Sequence, residues 1–353
     1  MFGLFSELGP LVVTKDANVV RREWSWNREF NLLFIDNPVG TGFSFTDDDR
    51  GYTKNQTEVA RDLFEALTQF FTIFSEYSKN DFYATGESYA GKYVPAIGHR
   101  ISIETKPLKF NFKGVAIGDG LCDPETQSDY ASMLYQIGLM DESEAAHMKE
   151  EQNKAVKAIQ EGRFGDAFRI FDEILNGDLI SGKSYFKNVT GLSDYYNFLN
   201  TNPPEEQGYY GGYLARPEVR KAIHVGNLTF NDGKKVEEHL VNDVMQSVKP
   251  WVAGLMDKYK VLLYSGQLDI IVAAPLTEKF INTIQWKGSE KYKTTRKQVW
   301  KVDPKDEDVA GYIRKVEGTG FVQAIIRNGG HILPYDQPRA SFYLISNFVN
   351  DRF

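Results

Sequence analysis

The first third of the chain alternates short apolar runs with segments in which apolar residues recur at helical spacing. The run 31–35 (NLLFI) predicts a short strand buried on both faces, and 81–85 (DFYAT) and 113–117 (KGVAI) predict two more strands. Helical spacing begins at Asn55 after the first run and at Tyr93 after the second. Asn55 and Glu58, three positions apart, resemble a capping pair at the start of the first helix. Strand, helix, strand, helix, strand is typical of a parallel sheet covered by helices.

The pattern changes from about residue 121. The stretch 121–247 is polar and mostly helical in its spacing, and its part 183–212 is rich in Asn, Tyr, Gly and Pro, as loops are. We therefore expect a large, mainly helical insertion here and no further sheet.

Strand patterns return after the insertion, and one amphipathic helix follows them. The strands are predicted at 260–264, 299–302 and 321–326, and the helix at about 338–349. The chain thus divides into a first core part, 1–120, the insertion, 121–247, and a second core part, 248–353. The predicted class is α/β, with a mostly parallel sheet and helices on both faces.

Charge and composition exclude some kinds of partner. The 353 residues include 41 Lys and Arg against 48 Asp and Glu, a formal net charge of −7, which argues against a protein that neutralises nucleic-acid phosphates. No apolar stretch approaches the roughly 20 residues that cross a bilayer, so no membrane span is predicted. Aromatic residues make up 14% of the chain, which suits a cleft for amphipathic substrates as well as a well-filled core.

Three features bear on the compartment of the protein. The start of the chain, residues 1–5 (MFGLF), lacks the basic residues of a secretory signal peptide. The single cysteine, Cys122, excludes an intrachain disulfide. Three Asn-x-Ser/Thr sequons, at Asn55, Asn188 and Asn227, nevertheless leave N-glycosylation in a secretory setting open.

The sequence carries no pattern for a cofactor or a metal. The glycine-rich turn 36–43 (DNPVGTGF) lacks the Gly-Lys-Ser/Thr ending of a phosphate-binding loop. Neither a His-Glu-x-x-His motif nor paired cysteines are present to hold zinc. We therefore expect a protein without nucleotide, metal or other cofactor.

The strongest chemical signal is the segment 85–91 (TGESYAG), which a predicted strand enters and a predicted helix leaves. Ser88 has small residues two positions away on each side, Gly86 and Ala90, as a nucleophile on a tight strand-to-helix turn requires. A strict G-x-S-x-G motif would have glycine in place of Ala90. A serine that merely caps the helix gives the same pattern, so this motif alone leaves both interpretations open.

Two further polar residues follow later strands. Asp269 comes after the strand at 260–264, and His331 comes after the strand at 321–326. The chain order Ser88, Asp269, His331 is that of α/β-hydrolases, and open α/β sheets bind their ligands at the carboxyl ends of strands. In such a triad the histidine takes the serine proton as general base, and the aspartate orients the imidazole. A turn carboxylate and a structural histidine are the alternatives.

Long motifs around these residues resemble those of serine carboxypeptidases. The motifs are 36–44 (DNPVGTGFS), 86–95 (GESYAGKYVP) and 329–338 (GGHILPYDQP). The vitellogenic-like members are the most similar through 123–125 (DPE), 222–227 (AIHVGN) and 267–274 (QLDIIVAA). The resemblance covers essentially the whole chain and implies an α/β-hydrolase fold. It also implies an exopeptidase that removes C-terminal residues from peptides and proteins through an acyl-enzyme.

The resemblance also assigns roles to individual residues. It implies Ser88, Asp269 and His331 as the triad and the Tyr89 backbone N–H as a donor to the oxyanion. Glu87 and Glu7 match two family glutamates that bind the terminal carboxylate of the substrate, although Glu87 by itself reads as a polar residue beside a turn. Two close carboxyl groups and a substrate carboxylate cannot all stay ionised, so their pKa values rise. We therefore expect an acidic optimum and a secreted or lysosome-like location.

One part of the family pattern lies outside this sequence. The family carries a Trp-Leu-Asn-Gly-Gly-Pro-Gly-like segment before the position that matches Met1. The resemblance implies that its asparagine and first glycine bind the terminal carboxylate and that a following glycine supplies a second oxyanion donor. Early strands of the family also precede this position. Two alternatives to an active carboxypeptidase therefore stay open. One is a catalytically impaired binding or scaffold protein on the same fold, and the other is an acyltransferase. The sequence predicts neither the oligomeric state nor the side-chain preference.

Overall fold

The computed structural model describes residues 1–353 and contains ten strands and fourteen α-helices. The strands are β1 (Leu11–Val13), β2 (Val19–Arg21), β3 (Thr41–Gly42), β4 (Asp81–Glu87), β5 (Asn111–Gly118), β6 (Asn231–Asp232), β7 (Lys260–Gly266), β8 (Gln298–Trp300), β9 (Gly311–Lys315) and β10 (Phe321–Ile326).

The helices lie mostly between these strands. They are α1 (Gln56–Ile73), α2 (Ala90–Ser102), α3 (Tyr130–Gln136), α4 (Glu142–Gln160), α5 (Phe164–Phe171), α6 (Tyr185–Thr190), α7 (Tyr210–Leu214), α8 (Pro217–Ala222), α9 (Lys234–Leu240), α10 (Lys249–Met256), α11 (Ala274–Thr283), α12 (Ser289–Thr294), α13 (Leu333–Asp336) and α14 (Pro338–Val349). None of them combines the length and apolarity that a membrane crossing requires.

Six strands form the main sheet, in the order β4-β5-β7-β10-β9-β8. The first four are parallel to one another. Strand β9 pairs antiparallel with β10, and β8 pairs antiparallel with β9. The predicted, mostly parallel sheet is therefore confirmed. Two small antiparallel pairs, β1 with β2 and β3 with β6, lie outside the main sheet.

Helices cover both faces of the sheet because successive side chains of a strand point to opposite faces. Val115 of β5 and Leu263 of β7 belong to a core that also contains residues of α1, α2, α10 and α11. Ala116 and Leu262, their chain neighbours, pack on the other face in a core that contains residues of α14. The near-continuous apolar sequences of β5 and β7 are explained by this burial on both sides.

Most predicted elements are found close to their predicted positions. The predicted strands at 81–85, 113–117, 260–264 and 321–326 are β4, β5, β7 and β10, and the predicted closing helix is α14. The capping pair at the start of α1 is present, since the Asn55 Oδ1 accepts a hydrogen bond from the Glu58 N–H at 3.0 Å. The strand predicted at 299–302 is β8, and it ends earlier, at Trp300.

The prediction of a buried strand at 31–35 is wrong. These residues form no strand, and Leu33 and Ile35 are each 41% exposed. None of the backbone N–H groups of 31–35 donates to a backbone carbonyl. An apolar run becomes a strand only where a neighbouring strand pairs with it, and β4 ends the sheet on its side without such a neighbour.

Between β5 and β7 the chain is mainly helical. Helices α3 to α10 lie here with only the two-residue strand β6. Several of these helices share a core of their own, to which Met133, Met148 and Phe168 belong. The limits 1–120, 121–247 and 248–353 for the three parts of the chain stay a prediction.

Candidate active site

Four parallel strands bring the predicted catalytic residues to one edge of the sheet. Ser88 directly follows β4, Asp269 follows β7, and His331 follows β10. The carboxyl ends of neighbouring parallel strands meet at the same edge, which is where open α/β sheets bind ligands. The order β4-β5-β7-β10 explains how residues far apart in sequence become neighbours.

Ser88 sits on a strained turn between β4 and α2. Its φ of +76° lies in the left-handed region, which residues other than glycine rarely adopt. The Ser88 N–H donates to the Gly118 carbonyl at 3.1 Å, and the Ser88 carbonyl accepts from the Gly91 N–H at 2.8 Å. Tyr89 is the N-cap of α2, and no side chain caps this helix, so the capping interpretation of Ser88 is wrong.

The small residues around Ser88 are required by close packing. A Cβ atom on Gly86 would lie 2.5 Å from the Ala90 Cβ, and one on Gly91 would lie 2.5 Å from the Leu121 backbone nitrogen. Both distances are far below van der Waals contact. The turn therefore tolerates alanine at position 90 and needs glycine at the other two positions.

His331 and Asp269 form a buried pair. The His331 Nδ1 is 2.8 Å from the Asp269 Oδ2, and both side chains are almost completely buried. The Asp269 Oδ1 accepts from the Val272 N–H at 3.3 Å. The other ring nitrogen of His331, Nε2, is buried and has no hydrogen-bond partner. The Ser88 hydroxyl is therefore not hydrogen-bonded to the imidazole ring.

Tyr196, which the sequence did not single out, holds His331 in place. Its ring stacks on the imidazole with centroids 4.6 Å apart and planes 11° apart. Its carbonyl accepts the His331 backbone N–H at 2.6 Å. The neighbouring Tyr195 and Phe198 bond to the loop of Asp269, since the Tyr195 carbonyl accepts from the Ile270 N–H and the Phe198 N–H donates to the Leu268 carbonyl, both at 3.1 Å. The aromatic content of 183–212 was the only sequence signal for this role.

Tyr89, the predicted oxyanion donor, has a backbone N–H that donates to no protein carbonyl. Its side chain is fixed separately, because its hydroxyl donates to the Asp243 Oδ2 at 3.0 Å. A cavity of about 250 Å³ lies beside Ser88 and Tyr89, and its lining is mostly apolar, with Phe168 and Leu240 among the lining residues. This space suits an apolar side chain next to Ser88.

Glu7 and Glu87, the predicted carboxylate-binding pair, are half-buried as whole residues, and their carboxyl groups lie in the interior. Burial raises the pKa of Glu7 to about 7, against the opposing effect of His331. Both carboxyl oxygens of Glu87 are buried without a hydrogen-bond partner. Burial raises the pKa of Glu87 well above its ordinary value, and the charges of Glu7 and Asp269 raise it further. At acidic pH both side chains are neutral acids that can donate hydrogen bonds.

One further acid lies at this edge of the sheet. Asp119 follows β5. One carboxyl oxygen of Asp119, one carboxyl oxygen of Asp269 and one ring nitrogen of His331 lie within 4.8 Å of one another. All three residues are buried, and the Nδ1 of His331 is already engaged by Asp269. The sequence did not single out Asp119, because a buried aspartate after a strand has no motif of its own.

Comparison with known proteins identifies the family of this site. The family model for serine carboxypeptidases (peptidase S10) matches residues 1–351. The probable serine carboxypeptidase CPVL of Homo sapiens is 54% identical over 352 residues, which are 99% of this chain and 74% of that protein. The venom serine carboxypeptidase of Apis mellifera is 47% identical, over 100% of this chain and 75% of that protein, and the vitellogenic carboxypeptidase of Aedes aegypti is 40% identical, over 100% and 74%.

Among solved structures, the prohormone-processing carboxypeptidase Kex1 of Saccharomyces cerevisiae matches with a TM-score of 0.83. The match covers 99% of this chain and 80% of that chain at 23% identity. This likeness confirms the predicted α/β-hydrolase fold. The matches to the family model and to the relatives confirm the resemblance that the sequence motifs indicated. The chain belongs to the serine carboxypeptidase family.

Proposed function

We propose that this serine carboxypeptidase releases C-terminal residues from peptides and proteins through a triad of Ser88, His331 and Asp269. The observation that carries the proposal is the buried His331–Asp269 pair, 2.8 Å apart, at the sheet edge where Ser88 sits on its positive-φ turn. The unpartnered Nε2 of His331 supports the role of general base, because it has no other group to bind.

The chemistry follows from these roles. The Ser88 Oγ attacks the carbonyl carbon of the last peptide bond while His331 Nε2 takes the hydroxyl proton. Asp269 stabilises the imidazolium, and the Tyr89 N–H stabilises the oxyanion. His331 then gives its proton to the leaving amine as the C–N bond breaks, and an ester to Ser88 remains. Water activated by His331 hydrolyses this ester and regenerates the serine.

Glu7 and Glu87 give the enzyme its preference for chain ends. As neutral acids they donate hydrogen bonds to the terminal carboxylate of the substrate, which a carboxylate pair would repel. Because the pKa of Glu7 is about 7, this recognition weakens as the pH rises through neutrality. An acidic optimum follows, and it suits a secreted or lysosomal enzyme.

The three sequons differ in exposure. The sequons at Asn188 and Asn227 are exposed, as N-glycosylation requires. Asn55 is only half-exposed, and its side chain caps α1. We therefore favour Asn188 and Asn227 over Asn55 as glycosylation sites.

A fluorophosphonate probe tests the triad. We expect stoichiometric labelling of the wild-type protein at Ser88, located by peptide mass, and no labelling of Ser88→Ala or His331→Ala. Thermal unfolding of each variant verifies that it is folded. Folded wild-type protein that resists labelling would contradict the proposal and favour the catalytically impaired binding protein. Product analysis with a peptide substrate and an alcohol acceptor separates hydrolysis from acyl transfer.

A further inference from the structure

Asp119 occupies the position between the nucleophile and the acid of the proposed triad. It follows β5, which lies between β4 and β7 in the sheet. Its side chain is fully buried, and its φ of +42° is a left-handed conformation. The Asp119 N–H donates to the Tyr264 carbonyl at 2.8 Å, and the Asp119 Oδ1 accepts from the Gly266 N–H at 2.9 Å. The backbone thus fixes the direction of this carboxyl group.

The other carboxyl oxygen of Asp119 is chemically unexplained. Its Oδ2 is buried and has no hydrogen-bond donor. A carboxyl oxygen of Asp119 lies within 4.8 Å of both an oxygen of Asp269 and a nitrogen of His331. Two buried carboxylates at such a separation repel each other, and an unpaired buried carboxylate is costly by itself. Both costs disappear if one of the two carboxyl groups is protonated and donates a hydrogen bond to the other.

Asp269 is the acceptor of the two. Its Oδ2 bonds to the His331 Nδ1 and its Oδ1 accepts the Val272 N–H, so both oxygens serve donors, as those of a carboxylate do. Asp119 has only one donor, on Oδ1. A proton on Asp119 Oδ2 gives each oxygen of the pair a partner.

We propose that Asp119 donates a hydrogen bond from Oδ2 to the Asp269 carboxylate and is thereby a positioning residue for the acid of the triad. The proposal rests on the proposed function, since Asp269 matters only if His331 is the general base. Asp119 touches no substrate. It fixes the plane of the Asp269 carboxylate, and through it the orientation of the His331 ring.

The electrostatic surroundings support this protonation state. The titratable groups near Asp119 are Asp269, Glu87, His331 and Tyr264. Burial raises the pKa of Asp119 well above its ordinary value, and the charges of Asp269 and Glu87 raise it further. A hydrogen bond between a carboxylic acid and a carboxylate is charge-assisted and therefore short and directional. A carboxylic acid kept neutral by its site in order to donate a hydrogen bond is known chemistry in enzymes.

Two substitutions at Asp119 separate donation from charge. Asp119→Asn keeps a donor, and asparagine tolerates a positive φ better than most residues. We expect its kcat at acidic pH to stay within about threefold of wild type. Asp119→Ala removes the donor, and we expect kcat to fall about tenfold or more with little change in KM, since a hydrogen bond to a charged group is lost.

The dependence of kcat on pH distinguishes hydrogen-bond donation by Asp119 from a purely structural role, which would not shift this profile. A C-terminally amidated peptide is used as substrate, because it makes no demand on Glu7 and Glu87. The amide of Asp119→Asn has no proton to lose, so we expect the alkaline limb of its kcat profile to move to higher pH. Infrared difference spectra between wild type and Asp119→Asn should contain the C=O stretch of a protonated carboxylic acid, whether or not the protein turns over substrate.

Asp123→Asn is the matched control. Asp123 is also a buried acid of the loop after β5, but it pairs with the Lys249 Nζ at 2.7 Å, and we expect its profile and spectrum to resemble those of wild type. The proposal is overturned if folded Asp119→Asn is as impaired as Asp119→Ala, if Asp119→Ala is as active as wild type, or if the infrared band is absent. Failure of the proposed function is distinct, since it would leave wild type itself unlabelled by the fluorophosphonate.

Discussion

Glu87 directly precedes Ser88, and both oxygens of its carboxyl group are buried without a hydrogen-bond partner. An isolated buried carboxylate is costly, and burial raises the pKa of Glu87 well above its ordinary value. Burial raises the pKa of Glu7 to about 7, so Glu7 loses its proton near neutrality. At the scale of single residues, Glu7 sets the pH above which the terminal carboxylate of a substrate is repelled.

The substitution Glu7→Gln tests this assignment. The wild-type KM for a free-acid peptide should rise about tenfold between about pH 5 and about pH 9, because Glu7 becomes an anion facing the substrate anion. Glutamine stays neutral and still donates, so KM in the variant should stay nearly constant over that range. Steady-state kinetics with the same peptide in free-acid and amidated forms measure the effect. An equal rise of KM for wild type and variant, or for both peptide forms, would contradict the role of Glu7.

At the scale of elements, the connection from β4 to α2 illustrates how packing overrides local propensity. Gly91 and Gly254 both lie inside helices, α2 and α10, where alanine is intrinsically favoured over glycine by about 1 kcal/mol. A Cβ on Gly91 would meet the backbone of Gly120 and Leu121 at 2.6 and 2.5 Å, whereas a Cβ on Gly254 would meet nothing within 4 Å. The same substitution therefore has opposite effects in the two helices.

We expect Gly91→Ala to lower the free energy of unfolding by roughly 1–3 kcal/mol, because backbone atoms cannot move aside without shifting the Ser88 turn. Gly254→Ala should raise it by up to about 1 kcal/mol. Urea unfolding of the two variants and wild type measures both changes. Activity should fall in the Gly91→Ala variant and stay unchanged in the Gly254→Ala variant. A stabilising effect of Gly91→Ala would show that the helix is less closely packed than the distances indicate.

At the scale of the whole molecule, the buried acids of the site make the stability depend on pH. The pKa values of Glu7, Glu87 and Asp119 are raised above the ordinary values of 4.5, 4.5 and 3.8, in each case chiefly by burial. The folded protein thus holds protons that the unfolded chain releases. This contribution to stability is fully present below the ordinary pKa and is lost as the pH rises through the folded pKa, about 7 for Glu7.

The melting temperature should therefore fall from about pH 5 to about pH 8. Scanning calorimetry across this range measures the slope. The double substitution Glu7→Gln with Asp119→Asn should flatten it, since two of the three raised acids are then replaced by neutral amides. Asp123→Asn serves again as the control and should leave the slope unchanged. A melting temperature that rises between the two pH values would contradict the burial of these acids.

The sequence by itself determined the elements with strong local patterns and the residues with motifs. Residues close together in sequence specify the apolar runs of β4, β5, β7 and β10. They also specify the cap of α1 at Asn55 and the small-residue turn at Ser88. The chain order of Ser88, Asp269 and His331 indicated the α/β-hydrolase fold, and the family motifs around these residues implied it.

The tertiary structure decided what depends on partners distant in sequence. The run 31–35 has a strand-like composition but no strand, because backbone pairing requires a neighbour that no local pattern specifies. Tyr196 and Asp119 have no motif. They belong to the candidate site because the insertion and the sheet bring them against His331 and Asp269. Burial, which makes neutral acids of Glu7 and Glu87, is likewise a property of the folded chain alone, since only folding removes water from a side chain.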